Sequence, residues 1–275
     1  MIEAVTFVQS LRNGLRILKQ FSEVNGELTV TEIATQLQMS KSQVSRMLAA
    51  CREEGWVTQN PVTRGFSVGI AAYTAGMRFI DGNRLARETL PILRAVVDRC
   101  GFTCTLSVLE GTRPLYLLGI EGSISADVAS RVGSYFHYHA TASGKLLTAF
   151  ADEPVRAAML RTKPVRLTPQ TKVDSGVLRR ELRDIRERGY AVSIAERVAG
   201  IGAIAVPVFG AQGICLGALG IAYPLSLVSS DKYPYYAGLL HLSARDLSLR
   251  MGAGDYRFTS QAETPEQRAE TTFQP

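Results

Sequence analysis

Five polar side chains in one short run, Lys41, Ser42, Gln43, Ser45 and Arg46, have the chemistry to read a nucleic acid duplex. Cations, hydroxyls and amides match phosphate oxygens and the donor and acceptor edges that bases show in the major groove. The run is helical by spacing: Val44, Met47, Leu48 and Cys51 recur at i, i+3, i+4 and i+7 and leave the polar side chains on the opposite face. Ser40 and Gln43 have the S-x-x-Q spacing of a capping box, so the helix starts there and its free amides favour a phosphate. Gly55 ends it. Arg64 stands before Gly65 in a turn between two short extended runs, 56–58 and 66–68, placed to reach backbone or minor groove. Residues 1–75 hold seven basic and six acidic residues, so net charge argues weakly for DNA. Distribution argues more strongly, because Glu3, Glu23, Glu27 and Glu32 lie outside the 40–50 run and the wing tip.

A second cluster is His139-Ala-Thr-Ala-Ser-Gly-Lys145, small residues at a strand-to-helix junction. Small side chains let a ligand approach the backbone, and the amides of a helix start attract a carboxylate. The same residues also permit close helix–sheet packing, and the spacing leaves both readings open. The aromatic run Tyr135-Phe136-His137-Tyr138-His139 offers ring walls suited to a flat aromatic carboxylate. Catalytic patterns are missing. His137 and His139 alternate and so point to opposite faces, Ser143-Gly-Lys145 lacks the rest of a phosphate loop, and Gly200-Ile-Gly202 is no dinucleotide fingerprint. Glu181, Asp184 and Glu187 alternate with Arg179, Arg180, Arg183, Arg186 and Arg188 and read as a solvated ion-pair face. Cys51, Cys100, Cys104 and Cys215 are too few and scattered for a disulfide framework. A protein that is not an enzyme, with no metal and no cofactor, is expected.

These clusters need elements to hold them. Leu11, Leu15, Leu18 and Phe21 form one helical stripe, and Asn25-Gly26 is turn chemistry. A second helix, capped by Thr29 or Thr31, turns Ile33, Ala34 and Leu37 inward. Helix, short helix, tight turn, helix and hairpin make a winged helix-turn-helix over 1–70, followed by a linker helix over 71–86. The remainder, 87–252, reads as an α+β domain. It has a helix over 84–99 with Leu85, Leu90, Leu93, Val96 and Val97 inward around Pro91. Strands follow at 103–109, 114–120, 192–196, 201–209 and 215–222, with helices at 140–151, 173–189 and 229–251. Residues 253–275, rich in Thr, Gln and Glu, read as a disordered tail. The 275 residues are 46% hydrophobic and 20% charged, enough for real cores, and the net charge of +6 permits an anionic partner. Without a signal peptide or an unbroken apolar run of about 18 residues, a cytoplasmic protein with no membrane span is expected.

Several segments together resemble the IclR family of transcriptional regulators. They are Ser10-Leu-Arg-Asn-Gly-Leu-Arg-Ile-Leu, Leu28-Thr-Val-Thr-Glu-Ile-Ala, Lys41-Ser-Gln-Val-Ser-Arg-Met-Leu, Arg131-Val-Gly, His139-Ala-Thr-Ala-Ser-Gly-Lys145, Ile185-Arg-Glu-Arg-Gly-Tyr-Ala191 and Ala205-Val-Pro-Val208. The resemblance spans roughly residues 8–250. It implies a C-terminal GAF/PAS-like effector-binding domain, a homodimer or homotetramer on palindromic operator DNA, and a small-molecule effector, with RNA polymerase as a further possible partner and either repression or activation as the outcome. Carried over by position, the effector site is Val128, Ala142, Ser143, Ser193, Ile201, Gly202 and Ala203, with Tyr138 from the aromatic run added as a wall. This chain has Ser193 where members often have an acidic residue, and Ala203 where they often have Cys, so a polar anchor of relatives is weakened. The competing expectation is a small-molecule sensor whose N-terminal helices contact protein rather than DNA.

Overall fold

The computed structural model describes residues 8–22, 24, 26–124 and 132–258, and the chain divides between Asn83 and Arg84 into two compact units. The first unit runs α1 Gln9–Gln20, α2 Val30–Leu37, α3 Lys41–Glu53, β1 Val57–Gln59, β2 Phe66–Val68 and α4 Ile70–Gly82. Thr29 and Glu32 form a reciprocal capping box at the start of α2, and Gln38 in the left-handed conformation ends it. The chain therefore turns within three residues into the second capping box, Ser40 with Gln43. The core is Ile17, Phe21, Ile33, Ala34, Val44, Leu48, Val57 and Phe66. The expected α1 stripe is corrected. Leu11 and Leu15 are 62% and 57% exposed, because the inward face is set by Ile17 and Phe21, four residues apart, and the earlier leucines fall on its flank. Helix α4 covers the expected linker as far as Gly82, its first turn tied to the base of the wing by Ala71 N–H donating to Gly55 O at 3.1 Å, and the helix expected from residue 84 begins at Arg84.

The second unit begins with α5 Arg84–Cys100 and the hairpin β3 Thr103–Glu110 and β4 Arg113–Ile120. Helices α6 Ala142–Phe150, α7 Glu153–Arg161 and α8 Ser175–Arg188 follow. Strands β5 Ala191–Ile194, β6 Ile201–Phe209 and β7 Cys215–Pro224 precede α9 Tyr233–Arg250. The strands form one antiparallel sheet in the order β4-β3-β7-β6-β5. α5 packs with α9 and α6 with α8, each pair on the sheet, so β6 is buried on both faces as its continuous apolar run requires. Leu90, expected inward, is exposed on α5, and Ile92 takes an inward place beside Leu93. α7 has no counterpart in the sequence expectations; it is short, and only Met159 among its residues is buried, so it carries no stripe. Strand β5 ends at Ile194 rather than 196, which leaves Glu196 in the following loop.

The first residues of the expected tail are corrected, since Ala253, Tyr256 and Phe258 are buried, while 259–275 lie outside the described residues. Gly189, which closes α8 at φ 83°, also makes room for the Phe258 ring, since a Cβ there would lie 2.4 Å from it. Tyr256 O–H donates to Pro207 O at 3.0 Å, and His241 Nδ1 lies 2.8 Å from the same hydroxyl. Burial pulls the His241 imidazole down to about 4. A histidine whose folded pKa lies below its unfolded value contributes no penalty above about pH 6.5 and destabilises progressively as pH falls toward 4. Urea unfolding is expected to show about 3 kcal/mol lost across that window, reduced in His241→Leu; an unchanged pH slope in the variant would contradict this role.

Candidate nucleic-acid interface and ligand pocket

On α3, Val44 and Leu48 are buried while Lys41, Ser42, Gln43, Ser45 and Arg46 are all exposed. Five groups that can donate to phosphate or base edges thus share the outer surface of one helix. Arg64 is exposed at the hairpin tip in the left-handed conformation, φ 60°. One element of the charge argument needs revision. Glu27, distant in sequence, lies against the wing and accepts from Asn60 Nδ2 at 2.7 Å and from Thr63 Oγ1. Those bonds hold its carboxylate below the usual range. An acid at the wing is thereby engaged in fixing the turn that presents Arg64, while Arg52 donates to Gln59 at 2.8 Å and ties α3 to β1.

In the second unit a cavity of about 60 Å³ lies between the start of α6 and the β6–β7 strands. Of the carried-over positions, Ala142, Ser143, Ser193, Ile201, Gly202 and Ala203 line it together. Thr141 caps α6 through Gly144 N–H at 3.0 Å, leaving the Ala142 and Ser143 amides without intrahelical partners. Among the lining residues that the sequence reading did not single out, Tyr116 and Arg197 stand together in the wall. Arg197 Nη1 donates to Tyr116 Oη at 2.9 Å. Burial pushes the Tyr116 phenol up despite the adjacent guanidinium. Only a fold could reveal this pair, 81 positions apart.

Tyr138 is placed elsewhere: it lines a separate depression of about 410 Å³ with Tyr135, Phe136 and His137 and is directed at Thr162 O. Val128 lies outside the described residues. The aromatic run is not a strand, and the rings of His137 and His139 lie 5.6 Å apart rather than on opposite faces. His139 is buried against Val165 O at 2.8 Å, and burial pulls its imidazole down. Among the described residues, no group of three or more His, Cys, Asp or Glu could hold a metal ion, and no helix is long and apolar enough to cross a membrane.

Beside the cavity stands a cluster that the sequence reading took for a solvated face. Lys145, on α6, is fully buried, and its Nζ donates to Glu181 at 2.8 Å, Glu196 at 2.7 Å and Val192 O at 2.7 Å. Burial alone would raise the Glu181 carboxyl, but the Lys145 and Lys172 ammoniums outweigh it and hold it low. Glu181 is therefore the inward end of α8, while Asp184 and Glu187 remain exposed.

A winged helix-turn-helix with a polar-faced third helix, joined to an α+β domain built around a ligand cavity, defines a ligand-responsive DNA-binding regulator. The chain belongs to the IclR family: residues 77–249 match the family described as bacterial transcriptional regulator IclR C-terminal, and residues 10–61 match the IclR helix-turn-helix domain. HTH-type transcriptional regulator XynR of Escherichia coli K12 is 29% identical over 246 residues, 89% of this chain and 98% of that protein. KdgR of the same organism is 29% identical over 252 residues, 91% and 95% of the two chains. The crystal structure of an IclR regulator from Alicyclobacillus acidocaldarius aligns with a TM-score of 0.80 and 30% identity over 90% of this chain and 100% of that one. Both XynR and KdgR are transcriptional regulators by name.

Removing one partner of a buried ion pair leaves an uncompensated charge. Lys145→Met is expected to cost about 3–5 kcal/mol in denaturant unfolding, whereas Arg183→Ala on the exposed face of α8 stays within about 0.5 kcal/mol. Equal losses would show that the cluster is solvated after all.

Proposed function

We propose that this regulator binds a palindromic operator through Lys41, Ser42, Gln43, Ser45 and Arg46 of α3 with Arg64 of the wing, and that its pocket takes a small carboxylate. The protein acts in the cytoplasm as a homodimer or tetramer, whose paired recognition helices would enter successive major grooves about 34 Å apart. The observation that carries the effector reading is the meeting of two cationic or dipolar donors on one small cavity: the α6 start, with the Ala142 and Ser143 amides, and the Arg197 guanidinium. A carboxylate of few heavy atoms fits this chemistry. A cavity that holds benzene measures about 150 Å³, so 60 Å³ favours an aliphatic acid over the flat aromatic one that the neighbouring rings suggest. Ser143, Ser193 and Ala203 supply the small polar and apolar lining, with Ile201 and Gly202 closing the sheet side.

Operator binding is tested by gel shift with duplexes selected by the wild-type protein. Arg46→Ala is expected to weaken binding about tenfold or more; unchanged affinity would assign the N-terminal helices to protein contacts instead. For the pocket, calorimetry with acetate, pyruvate and benzoate is expected to show pyruvate binding that Ser143→Trp abolishes. Undiminished binding by that variant would place the ligand elsewhere.

A further inference from the structure

The segment that carries Arg197 is held in a conformation it would not adopt alone. Ala195, a non-glycine residue, sits at φ 53°, in the left-handed region that a Cβ disfavours. Such a residue persists where the surroundings over-determine it, and here they do so from two sides. Thr168 Oγ1 donates to Ala195 O at 2.7 Å, and Thr171 Oγ1 donates to Glu196 O at 2.6 Å. From the other side the Glu196 carboxylate takes a 2.7 Å bond from Lys145, whose own helix begins at the Ala142 and Ser143 amides of the pocket. The same ammonium binds Val192 O, one residue before Ser193. Lys145 is thus bonded to two elements that line the cavity, β5 and the 195–200 loop, while standing on the third.

We infer that the Lys145–Glu196 pair is the positioning device of the effector site: it fixes the separation between the α6 amides and Arg197 and so sets the pocket's affinity for an anion without touching the ligand. The inference rests on the pocket reading above. Glu181 provides the internal contrast. It bonds the same Nζ at 2.8 Å but belongs to α8, which does not line the cavity.

The test is hydrogen exchange on the full chain, read by peptide, beside pyruvate calorimetry. Glu196→Gln is expected to speed exchange in 195–201 by about tenfold relative to α8 and to weaken pyruvate by about the same factor. Glu181→Gln is expected to loosen α8 while leaving the loop protected. Thr171→Val, which releases the loop from its opposite side, should reproduce the Glu196→Gln pattern and serves where that variant does not fold. Loop exchange that rises only in step with global unfolding, or an identical pattern in Glu181→Gln and Glu196→Gln, would overturn the inference. If wild-type protein binds none of the three acids, the pocket reading fails, whereas the exchange comparison still decides whether the pair holds the loop.

Discussion

A lysine ammonium with no exposed surface must be surrounded by acceptors, and in the second unit that demand orders everything around the cavity. Lys145 reaches Glu181, Glu196 and a strand carbonyl at once. Burying these charges costs several kcal/mol of lost hydration, so such clusters are weak as net stabilisers. Their value lies in geometry. In this arrangement of α6, α8, β5 and the 195–200 loop all three donors of the ammonium find acceptors, and an arrangement that lost one would leave a buried charge less compensated. The second oxygens of Glu181 and Glu196 have no partner among the described residues, a further cost borne at this point in the fold. A protein that had only to fold would be better served by apolar residues here.

The DNA-reading unit solves a similar positioning problem with cheaper means. Left-handed Gln38 fixes where α2 ends and the Ser40–Gln43 capping box fixes where α3 begins, so the turn between them is set by local backbone geometry and hydrogen bonds. Glu27 then clamps the wing through Asn60 and Thr63, an exposed carboxylate used as a structural brace beside a surface that otherwise presents cations. Residues 40–50, the N-terminal part of the recognition helix, still carry no acid, Glu53 and Glu54 standing at its far end, and that part is where a phosphate or base edge would come closest.

What could be read in the sequence was whatever depended on neighbours along the chain. The Ser40–Gln43 capping box, the Thr29 cap, the Val44–Leu48 face, the left-handed stop at Gly189 and the long apolar strands all follow from spacing and turn chemistry, and each is present. Six of the carried-over positions lie on one cavity, whose other nine lining residues were not among them. Errors arose where distant segments meet. Charge alternation made Glu181 look solvated, because nothing local announces a lysine 36 positions away. Alternation likewise misplaced His137 and His139, since the run is irregular, with a turn at 138–139, and not a strand. Tyr116 with Arg197, Glu27 with the wing, and Phe258 over Gly189 were invisible for the same reason.

On the proposed function the anion pocket and the DNA-reading helix are two ends of one equilibrium, and thermodynamic linkage requires their coupling to be reciprocal. The most direct measurement is the affinity of the full chain for pyruvate, taken once on free protein and once with the recognition duplex at saturation. The account predicts two different dissociation constants, with the same ratio recovered when duplex affinity is measured with and without pyruvate. Identical constants in the two states would contradict it, showing a pocket that binds its acid without any bearing on DNA.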